Sequence, residues 1–351
     1  MIDVVTADSG HTDSTFVTEL EKGWLSNGPN SFDVDKEGNI YVLDKLGARV
    51  QKRDKTGKWI SSFPIKIQPQ ERNDSEMPLT YDIEVDNQGN IYITGSLIRV
   101  FIGQKMVTRK GILKFSSEGN IVLRLPSLIN IRNDELNYGA SRFVLTDRDG
   151  RIYNFDDGLW GGIDVFSPDG NLEAHMYGKG FHETDYHDMG IVQKEAVNDI
   201  YFRHDKYLMK TSLEDYVRNG RIDTVAVLPY WLRLPRFVDN KENEFGLSEY
   251  SSILIGFDRN SNFYFLRTED WHSSRLLGIC LRHYIFKLHL ENGKLIKVGE
   301  IEINLQKGKE ECSDDELLDF TKQFLVSGDG TIYWFHGTVD TVKVSKIIFD
   351  K

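Results

Sequence analysis

The sequence predicts an all-β protein built from repeated small sheets, and three observations support this prediction. The 351 residues include 20 Phe, 15 Tyr and 6 Trp, and aromatic residues favour pleated strands. The 30 Gly residues can supply turns that need a positive φ angle. A short phrase of strand, glycine turn and strand returns along the whole chain, which is typical of a repeat architecture.

The repeated phrase has the form Asp-x-x-Gly-x-Ile-Tyr and follows an alternating apolar run. Such a run before and after a glycine turn predicts two half-buried strands joined as a hairpin. The aligned tyrosines are Tyr41, Tyr92, Tyr153, Tyr264 and Tyr333. The third gap between them is about twice as long as the others. A degenerate copy of the motif, ending at Tyr207, falls near the middle of this gap. This spacing predicts six units.

A second glycine turn follows each of the first five hairpins. These turns contain Gly57, Gly119, Gly170, Gly220 and Gly293. Four strands per unit, repeated six times, predict a six-bladed β-propeller of four-stranded antiparallel blades, because a sandwich has no such period and a β-helix has a much shorter one. We expect a single domain over residues 1–351, with blades starting near 31, 80, 141, 197, 252 and 321.

The sixth unit ends at Lys351 without a second turn, so one outer strand is missing from it. An open sheet edge in a closed ring is unfavourable. The first 20 residues contain two strand-like segments, Ile2–Thr6 and Ser14–Leu20. We expect one of them to complete the last blade and close the ring.

The segment 28–44, followed by 49–63, resembles an NHL repeat. The second, third and last units keep only the core of the motif, and the fourth matches by spacing alone. The resemblance implies a six-bladed propeller along nearly the whole chain. Propellers of this family include protein- and RNA-binding modules, extracytoplasmic bacterial proteins, and a few metal-dependent lyases and lactonases, so the resemblance implies no single activity.

The net charge of −11 and the pI of about 5.4 argue against nucleic acid as a partner, since phosphate contacts need clustered Lys and Arg. The sequence has no apolar run of the ~18 residues that span a bilayer. The N-terminus lacks a signal-peptide pattern, so the protein is either cytoplasmic or extracytoplasmic with its leader removed, and we favour the second. Cys280 and Cys312 could be bridged or free.

The spacing of the turn glycines predicts where a binding cleft could lie. The second and fifth units carry about ten extra residues, between Gly95 and Gly111 and between Thr268 and Tyr284. In a six-fold ring these units face each other across the channel mouth. The expectation is a cleft on the face formed by the second-to-third strand loops, with neutral insertion as the alternative.

Two of these loops place tryptophan beside carboxylates, a combination that can stack on a sugar ring and accept its hydroxyl hydrogens. The candidate ligand-binding residues are Asp156, Asp157, Trp160, Glu269, Asp270, Trp271 and His272. The alternative is that the tryptophans pack between blades. Asp44 and Arg49 are interpreted as a structural ion pair.

Oxygen-rich residues on the predicted inner strands are weak candidates for a metal site. They are Glu84, Asn198 and Asp199, and Ca²⁺ would be the ion that prefers such ligands. The phase of strand alternation decides whether they face the channel. Our leading prediction is a non-enzymatic module that binds a protein, peptide or glycan on its loop face. A metal-dependent hydrolase or lyase and a structural subunit of a larger assembly remain alternatives.

Overall fold

The computed structural model describes residues 1–19, 28–65, 79–102, 105–126, 141–156, 162–176, 199–204, 206–212, 215, 218–233, 252–269, 282–304, 324–338 and 340–349. Within these ranges the chain forms 23 β-strands and the short helix α1 (Tyr230–Arg233), and Asp215, Arg218 and Asn219 are also helical. The all-β prediction is confirmed. No helix in the described ranges has the length and apolar character that crossing a bilayer requires.

The first three repeats each form a four-stranded antiparallel sheet with its strands in chain order. The first sheet contains β2 (Ser31–Val34), β3 (Ile40–Asp44), β4 (Arg49–Arg53) and β5 (Trp59–Pro64). The second contains β6 (Leu79–Val85), β7 (Ile91–Ile102), β8 (Lys105–Phe115) and β9 (Ile121–Pro126). The third contains β10 (Ser141–Thr146), β11 (Ile152–Asp156), β12 (Gly162–Phe166) and β13 (Leu172–Met176).

The next two repeats share a seven-stranded sheet. It contains β14 (Asp199–His204), β15 (Tyr207–Ser212), β16 (Asp223–Val227), β17 (Ser252–Phe257), β18 (Asn262–Glu269), β19 (Arg282–Glu291) and β20 (Lys294–Asn304). The parallel pairing of Val227 with Lys294 joins β16 to β20, and every other strand pairing in this sheet is antiparallel. The sheet is therefore a three-stranded unit and a four-stranded unit that touch at their outer strands.

The last sheet is completed by the N-terminus, as predicted. It contains β21 (Phe324–Val326), β22 (Ile332–Gly337), β23 (Thr341–Ile347) and, as its outer strand, β1 (Ile2–Asp8). Of the two candidate segments, the first pairs antiparallel with β23, while Ser14–Leu20 does not form this strand. Val5 and Ala7 on β1 are buried, so the added strand contributes to the core.

Two expectations about connections were wrong. The extra residues of the second repeat are not a loop, because β7 and β8 continue past Gly95 and Gly111 as a paired hairpin to Ile102 and Lys105. Alternating β-branched residues make this segment a good strand, a feature that counting turn glycines does not detect. Gly220 lies between β15 and β16, the second and third strands of its repeat, and not after the third.

The recurring aspartate and tyrosine hold the first hairpin turn of a repeat together. In the second repeat, Asp86 Oδ1 accepts hydrogen bonds from the backbone N–H groups of Gln88 and Asn90, both at 2.9 Å. Asp86 Oδ2 accepts from the hydroxyl of Tyr92 at 2.9 Å. Gly89 adopts a φ of +81°, which closes the turn at no steric cost.

The same aspartate–tyrosine bond recurs in three other repeats. The pairs are Asp35 with Tyr41 at 3.2 Å, Asp147 with Tyr153 at 3.0 Å, and Asp258 with Tyr264 at 2.8 Å. The last repeat has Ser327 in place of the aspartate, and its hydroxyl donates to Asp329. Burial raises the pKa of Tyr92 and of the other paired tyrosines well above the usual value, so their hydroxyls stay protonated and donate.

Replacing Tyr92 with Phe should therefore lower the free energy of unfolding by about 1–2 kcal/mol, because a buried hydrogen bond to a carboxylate is lost. The matched control is Tyr333→Phe, since Ser327 stands where that tyrosine would otherwise meet a carboxylate. Its effect should stay below about 0.5 kcal/mol. Urea unfolding of both variants measures the difference, and equal losses would show that the aspartate–tyrosine bond adds no stability.

The sheets pack face to face around the ring, and the turn between the third and fourth strands seats against the preceding sheet. A Cβ atom added to Gly57 would collide with the backbone of Val4 on β1. The corresponding atom on Gly119 would lie 2.6 Å from Cγ of Phe63 on β5. On Gly170 it would lie 3.0 Å from Leu123 on β9. Each of these glycines allows one sheet to approach its neighbour closely.

Gly119→Ala should cost about 1–3 kcal/mol more than Gly89→Ala, although both residues have nearly the same positive φ angle (+83° and +81°). Only Gly119 faces a close neighbour, because a Cβ on Gly89 would have its nearest contact at 3.7 Å. Thermal unfolding of the two variants separates packing from backbone strain. Equal destabilisation would contradict the proposed seating of the turn on β5.

Candidate functional site

Acidic side chains on the inner strands are buried and bind the backbone of the next sheet. Asp33 Oδ2 accepts a hydrogen bond from Val85 N at 2.5 Å, and Asp82 Oδ2 accepts from Val144 N at 3.2 Å. Glu84 Oε1 lies 3.3 Å from the hydroxyl of Thr146, which donates to it. These three carboxylates are at most 1% exposed. They connect β2 to β6 and β6 to β10.

The buried contacts of the inner strands also concern the three residues considered as metal ligands. Glu84 points to the neighbouring sheet, Asp199 is the first residue of β14 and pairs with Ser212, and Asn198 lies outside the described residues. Within the described part of the chain, no group of three or more His, Cys, Asp or Glu residues is arranged to hold a metal ion. The metal site therefore stays a prediction.

Two of the predicted rim residues are the last residues of second strands. Asp156 ends β11 and pairs with Gly162, and Glu269 ends β18 and pairs with Arg282. Their role in ligand binding stays a prediction. The remaining candidates lie outside the described residues, as do both cysteines: Asp157, Trp160, Asp270, Trp271, His272, Cys280 and Cys312.

A pocket of about 520 Å³ opens in the first sheet, at the turn between its second and third strands. It lies between the turn from β3 to β4 and the segment that follows β1. Its lining residues are His11, Val17, Thr18, Glu19, Leu46, Gly47 and Arg49. The pocket is thus made where two segments distant in sequence meet, at the loop face.

Arg49 lines this pocket and is held in place by the buried Asp44. Arg49 Nε donates to Asp44 Oδ2 at 2.9 Å, and Asp44 Oδ1 accepts from Gly47 N at 3.1 Å. Asp44 is fully buried, and burial raises its pKa against the lowering effect of Arg49. Because a Cβ on Gly47 would collide with the Asp44 carboxylate, this turn requires glycine. The structural ion pair inferred from sequence is present, and Arg49 also lines the pocket.

The segment after β1 is held down by backbone contacts that the sequence analysis missed. Arg49 Nη2 donates to the carbonyl of Thr15 at 2.6 Å, and the Gln51 amide donates to the same oxygen. Phe16 is fully buried beneath the guanidinium of Arg53, 5.0 Å from its ring centre. The buried aromatic Phe16 was the available signal, since a residue of this type in a polar stretch suggests an anchored segment.

A second polar cluster joins β1 to the last sheet. His336 Nε2 lies 2.8 Å from Ser345 Oγ, and that hydroxyl donates to Asp3 Oδ1 at 2.5 Å. The Ser345 oxygen must then accept from a protonated Nε2. The His336 ring stacks on Trp334 at 3.9 Å between centres. Burial lowers the pKa of His336 to about 4, and the bond from Ser345 lowers the pKa of Asp3.

The lowered pKa of His336 predicts a loss of stability in mild acid. The imidazole is neutral in the fold but protonates near pH 6.5 when unfolded, so its contribution is complete above 6.5 and declines as the pH falls towards 4. A shift of this size corresponds to at most about 3 kcal/mol. Urea unfolding between pH 7 and 4.5 should show this decline in the wild type.

His336→Gln should remove most of this pH dependence, because glutamine can keep a donor towards Ser345 without titrating. His11→Gln, at an exposed position, serves as the control and should leave the dependence unchanged. A His336 variant that loses stability with pH as steeply as the wild type would refute the assignment.

Solved structures with a similar fold cover nearly the whole chain. No known protein family matches the sequence, and no curated protein matches it. A solved member of the DUF4221 family from Bacteroides vulgatus has a TM-score of 0.54 at 10% identity, covering 97% of this chain and 100% of that one. A luciferin-regenerating enzyme has a TM-score of 0.51 at 7% identity, covering 95% and 96%.

A further solved structure, virginiamycin B lyase from Staphylococcus aureus, has a TM-score of 0.49 at 12% identity and covers 95% of this chain and 100% of its own. Identities this low concern the fold and not the activity. The four-stranded antiparallel sheets and the outer strand supplied by β1 agree with the architecture of the DUF4221 structure. By its fold, the chain is a β-propeller protein.

Proposed function

We propose that this protein is a binding module that uses the loop face of its propeller to hold a protein, peptide or glycan ligand. The observation that carries the proposal is the pocket beside Arg49, which lies at a second-to-third strand turn. Loops on a rigid scaffold are the usual place for binding residues. The proposal includes six blades in one domain over residues 1–351 and an NHL-type repeat.

The charges around the pocket favour a neutral or cationic group over an anion. Arg49 is already neutralised by Asp44, and its Nη1 atom lies 3.7 Å from the carboxylate of Asp13. Glu19 adds a further negative charge to the lining. Sugar hydroxyls or a peptide with a lysine side chain could donate to these carboxylates, while Val17 and Leu46 offer apolar contact.

The alternative, a metal-dependent hydrolase or lyase, needs carboxylate ligands that converge in the channel. Asp33, Asp82 and Glu84 instead bind groups of the adjacent sheet. A carboxylate bound in this way has less capacity for a metal ion, so the pocket gives the binding function more support than the channel gives catalysis.

Glycan and peptide arrays probed with the purified chain test the proposal. The variant Leu46→Arg places a positive charge at the pocket wall and should abolish, or weaken by at least about tenfold, any specific signal, because it repels a cationic group and removes an apolar contact. The matched control is Ile60→Arg on the outer strand β5, where the residue is 45% exposed. This control should keep the wild-type signal.

The outcomes test the role of the pocket and the choice of ligand classes separately. Array signals that both variants retain would place the ligand elsewhere and overturn the role of the pocket. An absence of any specific signal on either array would overturn the choice of ligand classes. Melting curves of both variants show whether a lost signal reflects lost folding.

A further inference from the structure

The exposed apolar side chains of the described residues lie at one end of the sheets. Nine large apolar residues are exposed, and six of them are on outer strands, within the first five residues of each strand. We call these six the apolar rim: Ile2, Ile60, Val122, Leu172, Ile296 and Val298. The other three, Met1, Val227 and Ile348, lie next to the same ends of the strands.

The opposite halves of the outer strands expose polar residues instead. Examples are Asp8 on β1, Arg124 on β9 and Glu302 on β20. In an antiparallel sheet of four strands, the first-to-second and third-to-fourth turns lie at the same end. The apolar rim therefore surrounds the face formed by these turns, which we call the turn face and which is opposite the loop face. Its turns include residues 35–38, 54–57, 86–89 and 116–119.

A lysine occupies the same position on the third strand of four sheets, directly opposite the tyrosine of the repeat. We call these four residues the lysine ring, and they pair as Lys52 with Tyr41, Lys114 with Tyr92, Lys287 with Tyr264 and Lys346 with Tyr333. Each Nζ atom lies between 5.0 and 5.8 Å from the centre of its tyrosine ring. Lys114 also donates to the carbonyl of Pro168 at 3.3 Å. Within the described ranges, no carboxylate forms an ion pair with any of the four.

The recurring aspartates of the turn face are buried, whereas the lysine ring is partly exposed. The aspartates are at most 8% exposed and accept hydrogen bonds within their own turns: Asp35, Asp86, Asp147 and Asp258. The other charges of the turns are of both signs, as in Lys36 with Glu37. The Debye length at physiological ionic strength is about 8 Å, so distant acidic residues are screened. The turn face therefore attracts an anionic partner, although the whole chain has a net charge of −11.

The arrangement of apolar and basic residues favours a lipid surface over a protein. In a propeller the fourth strand of each sheet is farthest from the axis, so the apolar rim lies outside the lysine ring. Protein interfaces have the reverse order, with an apolar centre and a polar edge, and they use a contiguous apolar patch. A lipid headgroup layer accepts separate apolar side chains together with basic ones, and it extends across the whole face.

We infer that the turn face docks this propeller on an anionic lipid surface. The apolar rim enters the headgroup region, and the lysine ring lies beside the acidic headgroups. This docking is peripheral and needs no membrane-spanning segment. The loop face, with the pocket beside Arg49, then points away from the lipid, so this proposal and the proposed function fail separately.

Flotation with vesicles tests the inference on the full chain. The wild type should bind vesicles containing about one third phosphatidylglycerol, bind phosphatidylcholine vesicles weakly, and lose binding as salt is raised. Lys52→Gln with Lys346→Gln should weaken binding to the anionic vesicles roughly 25-fold, since each basic residue near the surface contributes about fivefold. Ile60→Ser with Val122→Ser should weaken it at least about tenfold, because less apolar area enters the headgroups.

Matched controls separate position from composition. Lys45→Gln with Arg124→Gln removes the same number of positive charges at the opposite ends of the sheets, in the turn from β3 to β4 and on β9. Ile60→Val with Val122→Ile changes the rim residues but keeps them apolar. Both controls should bind vesicles like the wild type, and melting curves show whether each variant is folded.

Four results would overturn the inference. The first is an absence of wild-type binding to the anionic vesicles at low salt. The second is equal binding by the wild type and by both folded turn-face variants. The third is an equal loss in the control that lacks Lys45 and Arg124, which would make net charge the cause. The fourth is binding of the wild type to polyglutamate or single-stranded RNA but not to vesicles, which would identify an acidic protein or a nucleic acid as the partner.

Discussion

Hydrogen bonds that inner-strand carboxylates accept from the backbone N–H groups of the next sheet fix the spacing of the first three sheets. Asp33 reaches Val85 N, and Asp82 reaches Val144 N. Each bond joins a carboxyl oxygen to a backbone donor away from water, where an unpaired group of either kind would be costly. The sheets must therefore keep this relative position, and the remaining contacts between them form within that constraint.

Because of this constraint, the candidate binding residues are found at the rim and not in the channel. Carboxylates that serve the joints between sheets have less capacity for a metal ion or a substrate. The pocket at the rim differs, because Asp44 holds Arg49 in place and Arg49 still lines the cavity. The segment that closes this pocket follows directly on β1, so closing the ring and building the pocket depend on the same N-terminal residues.

Charge is distributed unevenly over the fold. Residues 97–110 contain four basic residues and none of the 54 acidic residues, which all lie elsewhere in the chain. The cluster of His336, Ser345 and Asp3 spans β22, β23 and β1, so it connects the first and last strands of the chain. The acid sensitivity expected of His336 therefore concerns the joint between the two chain ends.

The sequence by itself determined the local structure, namely the turns, the hairpins and the repeated unit. Asp86, Gly89 and Tyr92 act within seven residues, so their spacing is enough to identify the turn. Only the tertiary structure decided that Glu84 faces the next sheet, that Ile2–Asp8 is the closing strand, and that the residues around 100 form a ribbon. Strand phase and contacts between distant segments depend on how sheets pack against each other, and no local pattern encodes that packing.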